Sequence, residues 1–475
     1  MTLPVARLLM PALRWDRQTG FEHESGTIER ALGLGAGGFI IFGGPAEEVR
    51  VLTSRLASRV PRPLLFAADL ERGAGQQFAG LEELPPPRAL GSLNDLDAVR
   101  SAGAATARSA LSVGVNWVFA PVADLDMAPE NPIVQTRAFG DDSAWVAACV
   151  AAWVDGCQSA GALACIKHFP GHGRTTTDSH AGLPLVSVPR GELDDDLRPF
   201  RAGIEAGVAS CMTAHVAYSA LDAVLRPATL SPPVLGLLRT ELGFAGAVVS
   251  DALIMEGAFE GRTEGEAYVQ ALAAGVDILL YPRNLELAHS ALASALETGA
   301  LTTARVTDAL VRLDGLVARQ AVLMAGAVAS STVQLGDQLA ARLLAAPLGR
   351  GFLRPLRQPL DVALVDDDIG GPYEASPATW IIRELEDAGV AFGSGGSRVV
   401  LAYAEPRAWK GRAGFGAENR AKLKEALPGA DLVVLFGHPR LAEQIPGDAP
   451  ILVAWHRQRL MQDAAARWLI SRLKR

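Results

Sequence analysis

The chain has 475 residues, of which 49% are hydrophobic, and a formal net charge of -8 at pH 7. This length and apolar content are enough to bury a large core and predict two domains. An acidic chain without a block of Lys and Arg offers no electrostatic footprint for nucleic acid or an anionic membrane surface, so neither partner is expected and a small neutral or cationic ligand is favoured.

The first 330 residues alternate short apolar runs with Ala-rich helical stretches. The runs are VARLLMP, GFIIF, PLLFAAD, GVNWVFAPV, ALACIKHF, ASCMTAHV, AVVSD and VDILLYP. The stretches between them are long enough for right-handed crossovers between parallel strands. Eight such units predict a (β/α)₈ TIM barrel over residues 1–330, with an open doubly wound sheet as the alternative.

A second set of strand-like runs follows the stretch AGAVASSTVQLGD. The runs DVALVDD, VVLAYAE, DLVVLFGH and ILVAWH alternate with helical segments, which predicts a smaller α/β sandwich domain over residues 331–475. The stretch GLGAGG at 33–38 has G-x-G-x-x-G spacing. Because it precedes a strand instead of following one, a tight turn is favoured over a dinucleotide site.

Localisation and redox state are read from the N-terminus and the cysteines. The N-terminal residues lack the basic region and apolar core of a signal peptide, and no apolar run approaches the length of a membrane span, so a cytoplasmic location is expected. No cysteine pair has CxxC spacing, which favours buried reduced thiols over disulfides or a zinc site. The cysteines are Cys149, Cys157, Cys165 and Cys211. No cofactor is expected.

The segment KHFPGHGRTTTDSH, residues 167–180, contains three of the eight histidines and opens with Lys167, the only lysine before Lys410. Arginine supplies positive charge throughout the rest of this region. A lysine here therefore indicates a need for a compact ammonium, which suits close approach to a hydroxylated ligand, although chance survival of one lysine is the alternative.

The same segment raises the question of a zinc site, with His168, His172 and His180 as ligands. We disfavour it because Pro170 and Gly171 break the helix that H-x₃-H ligation needs, and no carboxylate-rich ligand set completes it. No metal site is predicted.

Polar residues follow several of the predicted barrel strands, at the end where barrel enzymes carry their working residues. Each one alone is explained by a helix cap or a satisfied core histidine. Their coincidence at five strand ends favours a functional site. The residues are Asp69, Asp124, Asp126, Lys167, His168, His215 and Asp251.

KHFPGHGRTTTDSHAGLP and VVSDALIMEGAF together resemble the paired signatures of glycoside hydrolase family 3, in particular its bacterial β-N-acetylglucosaminidase branch. FAADLERGAG, FAPVADLDMAPENP and TRAFGDD add matches, and the resemblance spans most of residues 60–260. It implies a retaining exo-acting β-N-acetylhexosaminidase that acts on cell-wall-derived (peptidoglycan) fragments, with carbohydrate as its small-molecule partner.

The resemblance also implies roles for individual residues. Asp251 matches the nucleophile that forms a glycosyl-enzyme, and His180 matches the histidine acid/base of this branch. Asp178 lies two residues earlier, so in an extended segment it faces the same side and can orient the imidazole. The remaining candidates match positions that bind sugar hydroxyls or line the pocket. They are Asp69, Arg137, Lys167, His168 and His215.

Departures from the branch leave specificity open. Leu70 and Arg72 replace Gln and Gly next to Asp69, and Ala252 follows Asp251 where many members have a second Asp. A phosphorylase is one alternative, because a neutral His180 does not repel phosphate as a carboxylate does. A silent sugar-binding protein is the other, disfavoured because every catalytic position is present.

Overall fold

The computed structural model describes residues 3–177, 182–259, 261–327, 334–345, 355–370 and 375–474. The chain divides into two compact units. The first comprises Met1–Glu83, Asp95–Met127 and Ala138–Thr332, and the second comprises Leu84–Asn94, Ala128–Arg137 and Val333–Arg475. Two segments from the N-terminal part of the chain therefore belong to the second unit, and a division into residues 1–330 and 331–475 stays a prediction.

The first unit is built on parallel strands, most of which lie within the predicted apolar runs; Ala12–Arg14, Leu185–Val186 and Ala217–Tyr218 lie outside them. The strands of this unit are β1 Leu9–Met10, β2 Ala12–Arg14, β3 Gly38–Phe42, β4 Leu65–Ala68, β5 Trp117–Val118, β6 Leu163–Phe169, β7 Leu185–Val186, β8 Ser210–Thr213, β9 Ala217–Tyr218, β10 Ala247–Val249 and β11 Leu279–Leu280. Seven of them form one sheet in the order β10-β8-β6-β5-β4-β3-β2. Every neighbouring pair in it is parallel, and β6 is buried along its whole length.

The sheet curls, and hydrogen bonds continue beyond both of its edge strands. At one edge, Val249 of β10 pairs in parallel with Ile278, which directly precedes β11. Strand β11 pairs in parallel with β1, and a single residue, Pro11, separates β1 from β2 at the other edge. The α/β class and a curled parallel sheet are confirmed. A complete (β/α)₈ barrel stays a prediction.

Helices alternate with the strands of this unit, and six of the nine α-helices that the structure describes in it begin at a residue whose side chain caps the first turn. The Asp95 carboxylate accepts from the backbone N–H groups of Asp97 and Ala98, and Thr263 with Glu266 forms a capping box. The helices of this unit are α1 Ser25–Leu34, α2 Ala46–Ser58, α4 Leu96–Ser112, α5 Ser143–Ser159, α6 Leu193–Glu205, α7 Pro232–Gly236, α8 Glu264–Ala274, α9 Leu285–Thr298 and α10 Thr303–Gly326. In the part of the chain that the structure describes, no helix combines the length and apolarity needed to cross a membrane.

The second unit contains a four-stranded parallel sheet in the order β12-β13-β14-β15. Its strands coincide with the four predicted runs: β12 Leu360–Asp366, β13 Ser397–Ala404, β14 Leu432–Gly437 and β15 Ile451–Val453. The helices of this unit are α3 Pro87–Ser92, α11 Leu335–Leu343, α12 Trp380–Asp387, α13 Ala417–Ala426 and α14 Arg459–Ile470. The predicted sandwich arrangement of this domain stays a prediction.

All four cysteines are buried as free thiols, as the sequence predicts. Burial raises the pKa of Cys149 and of Cys165 to about 12, so neither thiol is a nucleophile at neutral pH.

Candidate active site

The predicted site residues of the first unit lie at the carboxyl ends of its strands. Because neighbouring strands are parallel and paired in register, these ends meet at one edge of the curled sheet. Asp69 directly follows β4, and Lys167 and His168 are among the last three residues of β6. His215 lies just beyond β8, and Asp251 lies just beyond β10.

Lys167 forms the buried electrostatic centre of the site. Its side chain is 2% exposed, and its Nζ lies 2.7 Å from Asp69 Oδ1 and 2.8 Å from Glu71 Oε1. The Asp69 side chain is 30% exposed, whereas that of Glu71 is 5% exposed. A buried ammonium with two carboxylate partners is compensated, and Asp69 is the member of this trio that reaches solvent.

A hydrogen bond joins the His168 ring to Asp124, which follows β5. His168 Nδ1 lies 2.7 Å from Asp124 Oδ2, and Asp124 Oδ1 accepts from the backbone N–H groups of His168 at 3.1 Å and His172 at 2.7 Å. Burial acts to raise the pKa of Asp124, but the two histidines outweigh it and hold this pKa below its ordinary value. The ionised carboxylate therefore fixes the proton of His168 on Nδ1.

His172 lies in the PGHG turn, and its side chain makes contacts within that turn. Its Nδ1 is 2.7 Å from Thr175 Oγ1, and the Thr175 hydroxyl donates to the His172 carbonyl at 3.0 Å. Burial lowers the pKa of His172 to about 4, against an opposing charge effect from Asp124. The imidazole is therefore neutral at pH 7.

Residues from other segments of the chain also hold the PGHG turn in place. A Cβ on Gly173 would lie 1.8 Å from the Leu125 carbonyl oxygen, so only glycine allows this close approach. Arg174 Nε lies 2.7 Å from a carboxylate oxygen of the buried Asp196 on α6. These contacts anchor the start of the segment TTTDSH.

Asp251 is held by the strand end from which it projects. Its Oδ1 accepts from the Ala252 N–H at 2.7 Å, and its side chain is partly exposed. The negative charge of Asp251 acts to raise the pKa of both His172 and Cys165, although burial dominates both values. Asp251 is therefore electrostatically coupled to residues at the end of β6 and in the following turn.

His215 is completely buried at 0% exposure. Its Nδ1 lies 2.8 Å from Thr229 Oγ1, and its Nε2 lies 3.2 Å from the Ala252 carbonyl oxygen. The predicted substrate contact of His215 stays a prediction.

The other predicted residues lie outside the first unit or outside the described residues. Arg137 ends the short 3₁₀ helix Gln135–Arg137, which belongs to the second unit. Asp178 and His180 lie outside the described residues. The predicted roles of all three stay predictions.

Two residues of the site had no predicted role. Glu71 contacts Lys167, and the signal for it was its i, i+2 spacing from Asp69 within DLE. Thr229 contacts His215 from a short 3₁₀ helix and carries no recognisable motif in the sequence. Across the described ranges, no cluster of His, Cys, Asp and Glu side chains is arranged to hold a metal ion.

A curled parallel sheet with carboxylates, a lysine and histidines at its carboxyl end defines an α/β catalytic domain. The family model described as the glycosyl hydrolase family 3 N terminal domain matches residues 40–316, which is more than half of the chain. The chain belongs to glycosyl hydrolase family 3.

Named relatives agree with this assignment. The chain is 34% identical over 297 residues to a beta-N-acetylglucosaminidase/beta-glucosidase of Cellulomonas fimi, which covers 60% of this chain and 53% of that protein. It is 38% identical over 270 residues to a beta-hexosaminidase of Thiobacillus denitrificans, covering 54% of this chain and 74% of the relative. The chain thus spans about half the length of the Cellulomonas relative.

A solved structure is similar over the whole chain. The glycoside hydrolase family 3 beta-N-acetylglucosaminidase from Paenibacillus sp. str. FPU-7 superimposes with a TM-score of 0.84 and 27% identity. The match covers 100% of this chain and 97% of that chain.

Proposed function

We propose that this protein is a retaining, exo-acting glycoside hydrolase that removes β-linked N-acetylglucosamine from oligosaccharides. The observation that carries the proposal is that Asp251, the Lys167–Asp69 ion pair and the hydrogen-bonded His168–Asp124 pair all follow strands at the same end of the curled sheet. The catalytic unit in this proposal is a (β/α)₈ barrel, supported by the hydrogen bonds that continue round both edges of the sheet.

Asp251 is the nucleophile in this mechanism. Its carboxylate attacks the anomeric carbon, the bond from that carbon to the aglycone oxygen breaks, and a glycosyl-enzyme forms. The hydrogen bond from the Ala252 N–H to Oδ1 selects one rotamer of the carboxylate, so the attacking oxygen is oriented before substrate arrives.

His180 supplies and removes the proton. It protonates the departing aglycone oxygen in the first step and accepts a proton from water in the second, while Asp178 orients the ring. A reference pKa of about 6.5 suits an imidazole to both steps. These two roles rest on the DSH match in the sequence.

Asp69 and His168 bind the sugar hydroxyls in this proposal. The partly exposed Asp69 carboxylate accepts from hydroxyls, and its contact with Lys167 fixes it in position. His168 directs Nε2 towards the sugar, because Asp124 engages Nδ1. Arg137 is the further hydroxyl ligand that the sequence match supports.

The substrate in this proposal is a cell-wall-derived (peptidoglycan) fragment with a terminal N-acetylglucosamine, cleaved in the cytoplasm. The similarity to the beta-N-acetylglucosaminidases of Cellulomonas and Paenibacillus supports N-acetylglucosamine as the sugar. Many members of the branch have a second Asp where this chain has Ala252, so we expect a plain β-glucoside to be a slower second substrate.

Turnover of a chromogenic β-N-acetylglucosaminide, with and without inorganic phosphate, tests the proposal. Hydrolysis that is independent of phosphate and releases free N-acetylglucosamine is the expected result. Release of a sugar 1-phosphate would identify a phosphorylase instead, and binding without turnover would identify a silent sugar-binding protein.

A further inference from the structure

His215 follows β8 at the carboxyl end of the sheet, yet its imidazole ring is buried. Its relative exposure is 0%, compared with partial exposure of the Asp251 carboxylate. A sugar that reaches Asp251 therefore meets other atoms before it meets the His215 ring. A role in the reaction must act through a neighbouring residue.

The residue that connects His215 to Asp251 is Ala252. His215 Nε2 lies 3.2 Å from the Ala252 carbonyl oxygen, and a carbonyl only accepts, so Nε2 carries a proton and donates. The Ala252 N–H donates in turn to Asp251 Oδ1 at 2.7 Å. One residue thus holds the carboxylate with its N–H group and is itself held by His215 through its carbonyl.

A buried pair of threonines fixes the orientation of the ring. Thr229 Oγ1 lies 2.8 Å from His215 Nδ1 and 2.8 Å from Thr213 Oγ1, and both threonines are completely buried. Because Nδ1 is engaged by Thr229, the ring cannot flip without losing both hydrogen bonds in a site without water access.

The residue before Asp251 is held independently. Ser250 N donates to the Ile278 carbonyl at 3.0 Å, and Ser250 Oγ accepts from Leu280 N at 2.9 Å. The Ala252 carbonyl also accepts from the Met255 N–H at 3.2 Å, and the Leu253 N–H donates to the Leu280 carbonyl at 2.9 Å. Loss of His215 therefore removes one of the hydrogen bonds on the Ala252 carbonyl, next along the chain from the N–H group that binds the carboxylate.

We propose that His215 is a positioning residue for Asp251: it acts through the Ala252 carbonyl, and Thr229 sets its ring. The inference rests on the proposed function, because it takes Asp251 as the nucleophile. It replaces the substrate contact that the strand-end position of His215 predicts. Misplacement of a nucleophile slows the bond-forming step and leaves ground-state sugar binding unchanged.

The test compares two pairs of variants. His215→Leu and Thr229→Val remove a hydrogen-bonding group, whereas His215→Gln retains a donor near the Nε2 position and Thr229→Ser retains the hydroxyl. We measure kcat and KM on an aryl β-N-acetylglucosaminide, and the rate at which a 5-fluoro-N-acetylglucosaminyl fluoride labels Asp251. The Leu and Val variants should lose roughly 10- to 100-fold in kcat and in labelling rate, with KM within about twofold. The Gln and Ser variants should recover most of both.

The inference would be overturned if wild type is labelled at Asp251 and the Leu and Val variants are labelled at the same rate. It would also be overturned if these variants change only KM and keep the wild-type kcat. A wild-type enzyme that is neither active nor labelled overturns the proposed function itself, which is a distinct result. If His215→Leu does not fold, the Thr229 pair decides, together with ¹⁵N NMR of histidine-labelled wild type. That spectrum, assigned by comparison with His215→Gln, should show a protonated Nε2 for His215, and an unprotonated Nε2 excludes the proposed hydrogen bond.

Discussion

The ammonium of Lys167 lies 2.7 Å from a carboxylate oxygen of Asp69, although 98 residues separate the two in sequence. Lys167 extends from β6 and Asp69 from the end of β4, and the two strands are separated by β5 in the sheet. The pair spans the interior of the curled sheet, and Glu71 completes the neutralisation of the buried ammonium.

Lys167→Arg should lower kcat/KM by about 10-fold or more even though it preserves the charge. The site is almost completely buried, and a guanidinium is larger and places its donors in a planar fork that does not match two carboxylates approaching one atom. Steady-state kinetics measure the loss, with Arg198→Lys on the exposed surface as the control. Unchanged kinetics would mean that the lone lysine is an accident of composition.

Glu71→Ala should destabilise the fold by about 3 kcal/mol, because it removes one of the two carboxylates that compensate a buried ammonium. Chemical denaturation with urea measures the free energy of unfolding. Glu71→Gln keeps the volume and should recover part of the loss. Equal stability of all three proteins would show that Asp69 alone compensates Lys167.

Asp251→Asn should reduce kcat on the order of 10³-fold or more, because it removes the nucleophile with little change in volume. Circular dichroism should show an unchanged fold. A folded variant that retains substantial activity would reject Asp251 as the nucleophile.

The product released early in the reaction should have the β configuration. Two displacements at the anomeric carbon, the first by Asp251, restore the starting stereochemistry. Proton NMR of the reaction within the first minutes distinguishes the anomers before mutarotation, and an initial α-anomer would exclude the double displacement.

His180→Ala should slow the hydrolysis of β-glycosides with poor leaving groups more than the hydrolysis of aryl glycosides with acidic leaving groups. The departure of an acidic leaving group needs little protonation. Asp178→Ala should show a milder form of the same pattern. The measurement is kcat/KM across leaving groups of differing pKa, followed by addition of azide. A uniform loss without rescue of the second step by azide would reject His180 as the acid/base.

The pKa of His172, lowered by burial to about 4, predicts a pH dependence of stability. Between pH 6.5 and 4 the unfolded chain binds a proton at this residue that the folded protein does not bind, so stability falls as pH falls through this window. The loss approaches about 3 kcal/mol at pH 4. His172→Gln should remove this part of the slope in urea denaturation, whereas His23→Gln at an exposed position should not.

Most of the strands, and the end of the sheet at which the candidate site residues lie, could be predicted from the sequence. Hydrophobic periodicity reports which side of a segment is buried, and parallel strands bring their carboxyl ends together. The predicted runs of both units coincide with observed strands, and Asp69, Lys167 and Asp251 could be placed at strand ends from the sequence.

The tertiary structure alone decided which side chains pair. The burial of His215 against Thr229 and the inclusion of Leu84–Asn94 and Ala128–Arg137 in the second unit follow no local pattern. The spacing within DLE singles out Glu71, but its contact with Lys167 joins segments that are far apart in sequence. The physical reason is that a hydrogen bond between distant segments depends on strand register and on the rotamers that packing permits. Periodicity therefore located His215 just beyond a strand end, and only packing placed its Nε2 3.2 Å from the Ala252 carbonyl oxygen.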